Sequence, residues 1–138
     1  MSGHFDVLVD SDAFISFFVV QDAHYKHAQT AFHAFSSSGQ ILVTTNAVIT
    51  ETASMLSRRI SYPVACRFVE FIRDGDFPII YLDRALQDSA HSIFLVQNKE
   101  NTSMVDCTNV AVARYYSIPT IFGFDRFYTK FGLALIGE

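Results

Sequence analysis

Four acidic residues stand apart from the scattered charges of this chain: Asp10, Glu51, Asp106 and Asp125. Asp10 closes the apolar run 5–9, and Asp125 closes the apolar run 118–124. Glu51 falls in the first half of a helical segment, beside Val48, Ile49 and Ala53. Asp106 lies in the first turn of a segment that is otherwise small or apolar on every side. Two carboxylates brought to ~4 Å repel by roughly 4 kcal/mol at an effective dielectric of about 20, so a cluster needs something to offset it. No lysine or arginine stands in the immediate sequence around Asp10, Glu51 or Asp106. A divalent cation is the alternative, and oxygen-only ligands select Mg²⁺ or Mn²⁺ over zinc. Such a site suits phosphate chemistry, in which the ion activates water and stabilises charge on the transferring phosphoryl group.

Each acid also has a plain structural reading. Asp10 could cap the helix that follows it, but Asp12 is the better-placed cap by sequence. Asp12 then acts as a cap or as support to the ligands. Glu51 could be a solvated helix charge, and Asp125 a cap for the segment Arg126-Phe127-Tyr128. Asp106 has the weakest plain reading, because a buried carboxylate without a partner is expensive. Ser11 and Ser103 are read as supporting hydrogen-bond donors, with Ser103 also capping its helix.

The elements that would bring these acids together follow from periodicity. Short apolar runs alternate with helical patterns, which signals βαβ units and a parallel sheet. Strands are predicted at 5–9, 41–44, 78–82 and 118–124, with a short edge strand at 132–136. Helices are predicted over 12–20, from Asp22 to the Ser36-Ser37-Ser38-Gly39 stop, from Thr45 or Asn46 to Arg59, from Ser61 to Gly75, from Asp83 to Asn98, and from Ser103 to Tyr116. Asp10 and Asp125 end strands, and Glu51 and Asp106 open helices. In an open parallel sheet all four positions lie at the carboxyl edge, where ligands bind.

The totals permit this. The 138 residues suit one domain, and half of them are hydrophobic, enough for a full core. Fourteen phenylalanines and no tryptophan read as core filling, with Phe14, Phe17 and Phe18 as one cluster. Met1 to His4 is too short and polar for a signal peptide, and no apolar run approaches the ~18 residues that span a bilayer. The expectation is a soluble, cytoplasmic protein that engages no membrane. Cys66 and Cys107 form no metal spacing and read as reduced, buried thiols. The formal charge of −4 argues weakly against nonspecific nucleic-acid binding, but two divalent cations would neutralise it.

These residues resemble the PIN domain, in particular its toxin ribonucleases of the VapC type. The opening strand runs Val7-Leu8-Val9-Asp10-Ser11-Asp12. The second acid stands in Val48-Ile49-Thr50-Glu51-Thr52. The third opens an Ala-rich helix as Ser103-Met104-Val105-Asp106, and the fourth ends a strand in Phe122-Gly123-Phe124-Asp125-Arg126-Phe127. The resemblance covers essentially the whole chain. It departs at Asp12, where the family often has Asn or Ser, and at Cys107, where Ala is usual. It implies an α/β three-layer sandwich, a central parallel sheet of four to five strands flanked by helices, as a single PIN-like domain over 1–138. It further implies Mg²⁺- or Mn²⁺-dependent cleavage of RNA, a homodimer, and a small antitoxin partner whose tail lies along the toxin. Asp10 and Asp106 would be the primary ligands, with Glu51 and Asp125 completing the set. Arg58, Arg59, Lys99, Arg126 and Lys130 form a group of potential phosphate contacts.

Two other readings compete. Asp10-Ser11-Asp12 after an apolar strand also fits a haloacid-dehalogenase phosphatase with Asp10 as nucleophile, but that leaves Glu51 without a role. A noncatalytic PIN-like binding module is disfavoured by the presence of all four acids.

Overall fold

The computed structural model describes residues 3–136. Strand β1 (Val7–Val9) leads to helices α1 (Ser11–Phe18) and α2 (Tyr25–Ser38). Strand β2 (Leu42–Thr45) leads to α3 (Asn46–Arg59) and α4 (Tyr62–Asp74). Strand β3 (Ile79–Ile80) leads to α5 (Arg84–Leu95) and α6 (Met104–Tyr116). Strand β4 (Thr120–Phe122), a 3₁₀ turn (Arg126–Phe131) and strand β5 (Ala134–Ile136) complete the fold. The sheet order is β3-β2-β1-β4-β5, and every pairing is parallel. The protein is therefore α/β, a five-stranded parallel sheet with helices on both faces.

Strand alternation sorts the core. Val7 and Val9 face one layer and pack with Phe14, Val48, Leu56, Phe68 and Phe122 from the α1–α4 side. Leu8 faces the other layer, with Leu86, Ile93, Val110 and Val112 from α5 and α6. Aromatic rings fill the first layer: Phe14 is fully buried, with ring centroids 5.1 Å from Phe68 and 5.5 Å from Phe77. Phe17 and Phe18 are only partly buried and pack at its margin.

The caps explain where the helices start. Thr45, Ser61, Asp83 and Ser103 each accept a hydrogen bond from the backbone N–H three residues on, at 3.1, 3.2, 2.9 and 3.2 Å. Two cap assignments made from sequence are corrected. Asp10, not Asp12, caps α1, accepting from Ser11 N–H at 2.7 Å. Asp22 accepts from His24 N–H and Ser16 Oγ in the turn before α2, whose own cap position is His24. The strands are also shorter than the apolar runs. Pro78 and Pro119 have no N–H to donate, and Leu82 N–H turns away to Asn46 Oδ1 at 3.1 Å. Helix α5 stops at Leu95 rather than Asn98, which sits at φ 49°. Cys107 is buried and Cys66 only half-buried, both as free thiols.

Strand order sets the location of the site. From β1 the chain builds outward through β2 and β3, then crosses back to place β4 and β5 on the other side of β1. The crevice between the carboxyl ends of β1 and β4 is the topological switch point, the favoured ligand position of open α/β sheets.

Candidate active site

Asp10 leaves β1 directly at that crevice and is 2% exposed. Its Oδ1 accepts from Ser11 N–H at 2.7 Å and from Asn109 Nδ2 at 3.1 Å. Its Oδ2 accepts from the Tyr128 hydroxyl at 2.6 Å. Asp106, oriented by the Ser103 cap, brings its Oδ1 to within 2.8 Å of the same hydroxyl. Glu51 reaches in from α3, and its Oε1 accepts from Ser11 Oγ at 2.5 Å. Asp125 accepts from Phe127 N–H at 2.9 Å, capping the 3₁₀ turn, and its charge acts on both Asp106 and Asp12. The structure thus brings together Asp10, Glu51, Asp106 and Asp125, with Ser11 and Ser103 in supporting positions.

Asp12 belongs to the same cluster. Its Oδ2 accepts from Phe124 N–H at 2.8 Å, tying the end of β4 to the start of α1, and its Oδ1 is buried without a partner. Gly123 makes room for it. A Cβ there would lie 2.9 Å from Asp12 Oδ1 and 3.2 Å from Asp10 Cβ, so the absence of a side chain is what admits both carboxylates.

Burial and mutual charge raise the pKa values of the cluster. Asp10 is pushed up to about 6, by burial first and also by the charge of Glu51, against the lowering hydrogen bonds from Tyr128, Ser11 and Asn109. Asp12 is pushed up to about 7 by burial and then by Asp10. Asp106 is pushed up to about 8 by burial, then by Asp10 and Asp125. No lysine or arginine is among the main influences on the three. Negative charge is therefore concentrated at the crevice.

Tyr128 and Asn109 are absent from the sequence-derived set. Asn109 Nδ2 also donates to Tyr128 Oη at 3.0 Å, and both residues are fully buried. One local signal existed for Asn109, since it lies at i+3 from Asp106 and shares its helix face. Tyr128 had only its position three residues beyond Asp125.

The proposed phosphate contacts divide. Arg58 lines a groove of about 460 Å³ together with Glu51, Asn46, Thr50 and Gln87. Arg126 adjoins Asp125 at the start of the 3₁₀ turn. Lys130 stacks its ammonium 4.7 Å from the Phe127 ring centroid. Arg59 and Lys99 are exposed, and among the described residues neither forms an ion pair with the acids.

The donor set suits a hard divalent cation: oxygen ligands only, and a buried Asp12 Oδ1 without a partner among the described residues. Among the described residues no three acidic, histidine or cysteine side chains are already arranged to hold an ion. Hydrogen bonds from Ser11, Asn109 and Tyr128 hold the acids.

A parallel α/β sheet with an acid cluster at the β1/β4 switch point is the architecture of a nucleotide- or phosphate-handling fold. The PIN domain family matches residues 7–132, and the chain belongs to that family. Its fold is shared with the VapC20 toxin of Mycobacterium tuberculosis, whose structure is described as that of a sarcin-ricin-loop-cleaving toxin. Identity is 22%, coverage 94% of this chain and 97% of that one, and the TM-score 0.82. FitAcB from Neisseria gonorrhoeae matches with TM-score 0.68 at 13% identity, covering 94% of this chain and 96% of that one. FitAB bound to an IR36 DNA fragment matches with TM-score 0.64 at 14% identity, covering 94% and 92%. No curated protein matches the sequence.

Proposed function

We propose that this chain is a Mg²⁺- or Mn²⁺-dependent endoribonuclease and the toxin of a type II toxin–antitoxin pair. The observation that carries the chemistry is the convergence of Asp12, Glu51, Asp106 and the exposed Asp125 on the buried carboxylate of Asp10, with no lysine or arginine among the main influences on Asp10, Asp12 and Asp106. Asp10 and Asp106 would hold the cation, Glu51 would complete the set, and Asp125 would support a second ion or the substrate-bound state. Bound there, a divalent ion supplies positive charge to the phosphoryl oxygens and acidifies water.

The protein's own groups do the rest. Ser11 fixes Glu51 through Oε1, leaving Oε2 to take the proton of the attacking water. The backbone bond from Phe124 to Asp12 locks the end of β4 against α1, so Asp10 and Asp125 keep their spacing. The groove that runs from Glu51 to Arg58 offers a path for the strand flanking the scissile phosphate, with Arg58 placed to meet a phosphate. RNA as substrate is supported by membership of the PIN family and by the fold shared with VapC20. A small antitoxin partner is supported by the shared fold of the FitAB complex, and a homodimer by family resemblance. Residues 1–138 act as one PIN-like domain. No helix of the described residues is long and apolar enough to cross a membrane.

The test is cleavage of single-stranded RNA by Asp10→Asn and Asp106→Asn variants that retain the helical circular-dichroism spectrum. Each should lose Mn²⁺-dependent cleavage by at least ~100-fold, in line with removal of a group acting in the transition state. Full cleavage by both variants would sink the assignment.

A further inference from the structure

The buried hydroxyl between two of the acids has a role of its own. Tyr128 is 0% exposed, and its Oη lies 2.6 Å from Asp10 Oδ2, 2.8 Å from Asp106 Oδ1 and 3.0 Å from Asn109 Nδ2. Asp10 directly follows β1, Asp106 and Asn109 stand on α6, and Tyr128 itself lies in the 3₁₀ turn, three elements far apart in sequence. We propose that Tyr128, held by Asn109, is the positioning residue that orients the Asp10 and Asp106 carboxylates toward each other and so readies the two groups that would hold the cation. The inference rests on the metal-site reading above and adds a residue to it.

Asp10 is anchored at both oxygens: Oδ1 by Ser11 N–H and Asn109, Oδ2 by Tyr128. Oδ2 carries a single hydrogen bond and so keeps a lone pair for a cation. Asp106 is far less constrained. Its backbone is fixed by Ser103, and among the described residues its carboxyl group meets Tyr128 and the neighbouring Asp125. Without the hydroxyl, the Asp106 side chain is free to turn toward solvent. The amide of Asn109 has one workable orientation. Its Nδ2 donates both to Asp10 Oδ1 and to Tyr128 Oη, and a flip would set its Oδ1 against the Asp10 oxygen. That orientation leaves Asn109 Oδ1 buried without a partner. An unsatisfied acceptor is a stability cost, and it is retained where the amide fixes both the tyrosine and the aspartate. The ring itself is held independently, edge-on to Phe127 with centroids 5.8 Å apart. A phenylalanine at this position therefore keeps the packing and loses only the hydroxyl.

Groups that orient metal ligands from behind typically change metal affinity by about 10–100-fold when removed. Titration of Mn²⁺ into the purified chain, followed by the loss of free-ion paramagnetic resonance signal, measures this without RNA. Tyr128→Phe should weaken Mn²⁺ binding by at least ~10-fold, with an unchanged circular-dichroism spectrum. RNA cleavage by Tyr128→Phe should recover as Mn²⁺ is raised, which a purely structural lesion would not allow. Tyr116→Phe, whose ring packs on Phe5 away from the acids, should bind Mn²⁺ as the unsubstituted chain does. Asn109→Ala, which also removes the unpartnered Oδ1, should weaken Mn²⁺ binding in the same direction and serves if Tyr128→Phe does not fold. Mn²⁺ affinity left unchanged in a folded Tyr128→Phe or Asn109→Ala variant would overturn the inference while leaving the metal site standing. Absence of Mn²⁺ binding by the unsubstituted chain would overturn the metal site itself, and this role with it.

Discussion

Asp106→Asn should make the metal-free protein more stable at pH 8, although it removes a residue assigned to the active site. Asp10 and Asp106 meet the same hydroxyl, which puts their oxygens within roughly 5 Å of each other; two unit charges at that separation and an effective dielectric of about 20 repel by about 3 kcal/mol. Partial exposure of Asp106 and partial protonation near its raised pKa of about 8 reduce that figure, leaving about 1–2 kcal/mol of stabilisation for the amide. The single Tyr128 proton serves Asp10 Oδ2, and an asparagine keeps its contact by donating an amide N–H to Tyr128 Oη. The sign depends on pH. The folded-state pKa values of Asp10, Asp12 and Asp106 lie above 3.8, at about 6, 7 and 8, so the folded protein holds protons that the unfolded chain has released. Its stability in chelator therefore falls as pH rises from about 4 to about 8. For Asp10 alone the rise from 3.8 to about 6 corresponds to about 3 kcal/mol at pH well above 6. At pH 5 only the first part of that window has been crossed, so the substitution should stabilise less than it does at pH 8. Urea unfolding in EDTA at pH 5 and pH 8, followed by circular dichroism, reads both effects as midpoint shifts. A variant that is less stable at pH 8, or whose stability difference does not change with pH, would refute the charge-crowding argument.

Gly123→Ala should destabilise the fold by about 1–3 kcal/mol and weaken Mn²⁺ binding, because the new Cβ meets Asp12 Oδ1 and Asp10 Cβ at closer than ordinary contact; thermal melts and Mn²⁺ titration check the two parts. Ser11→Ala should lower RNA cleavage about 10-fold by freeing Glu51, with little change in melting temperature, since the serine supports a ligand rather than the core. Phe14→Ala should cost about 3–5 kcal/mol by opening a cavity among Phe68, Phe77 and Phe32, seen as a lower urea midpoint. Saturating Mg²⁺ or Mn²⁺ should raise the melting temperature at pH 8 and leave Asp10→Asn nearly unmoved, because an ion that binds only the folded state stabilises it by mass action.

Local chemistry was legible in the sequence, and long-range chemistry was not. Thr45, Ser61, Asp83 and Ser103 cap their helices as expected, because a cap needs only a side chain and a backbone N–H three residues away. The strand-end position of Asp10 followed from the apolar run that precedes it, whereas Asp125 stands three residues past the end of β4 and caps the 3₁₀ turn instead. The exchange of roles between Asp10 and Asp12 did not follow, since it depends on Phe124 N–H, 112 residues further along, capturing Asp12. Tyr128 was invisible for the same reason. Its importance lies in meeting Asp10 across 118 residues, and nothing in Arg126-Phe127-Tyr128 announces that contact. Strand lengths were overestimated because an apolar run records burial, whereas a ladder also needs N–H groups that Pro78 and Pro119 lack.

The central claim is metal-dependent hydrolysis of RNA by water at the acid cluster, and analysis of the cleaved ends tests it most directly. Single-stranded RNA is incubated with the purified chain in EDTA, then after addition of Mn²⁺, and the product termini are identified. Cleavage should appear only with Mn²⁺ and should yield no 2′,3′-cyclic phosphate, because water and not the neighbouring 2′-hydroxyl attacks the phosphorus. Cleavage that persists in EDTA, or products ending in a cyclic phosphate, would contradict the mechanism.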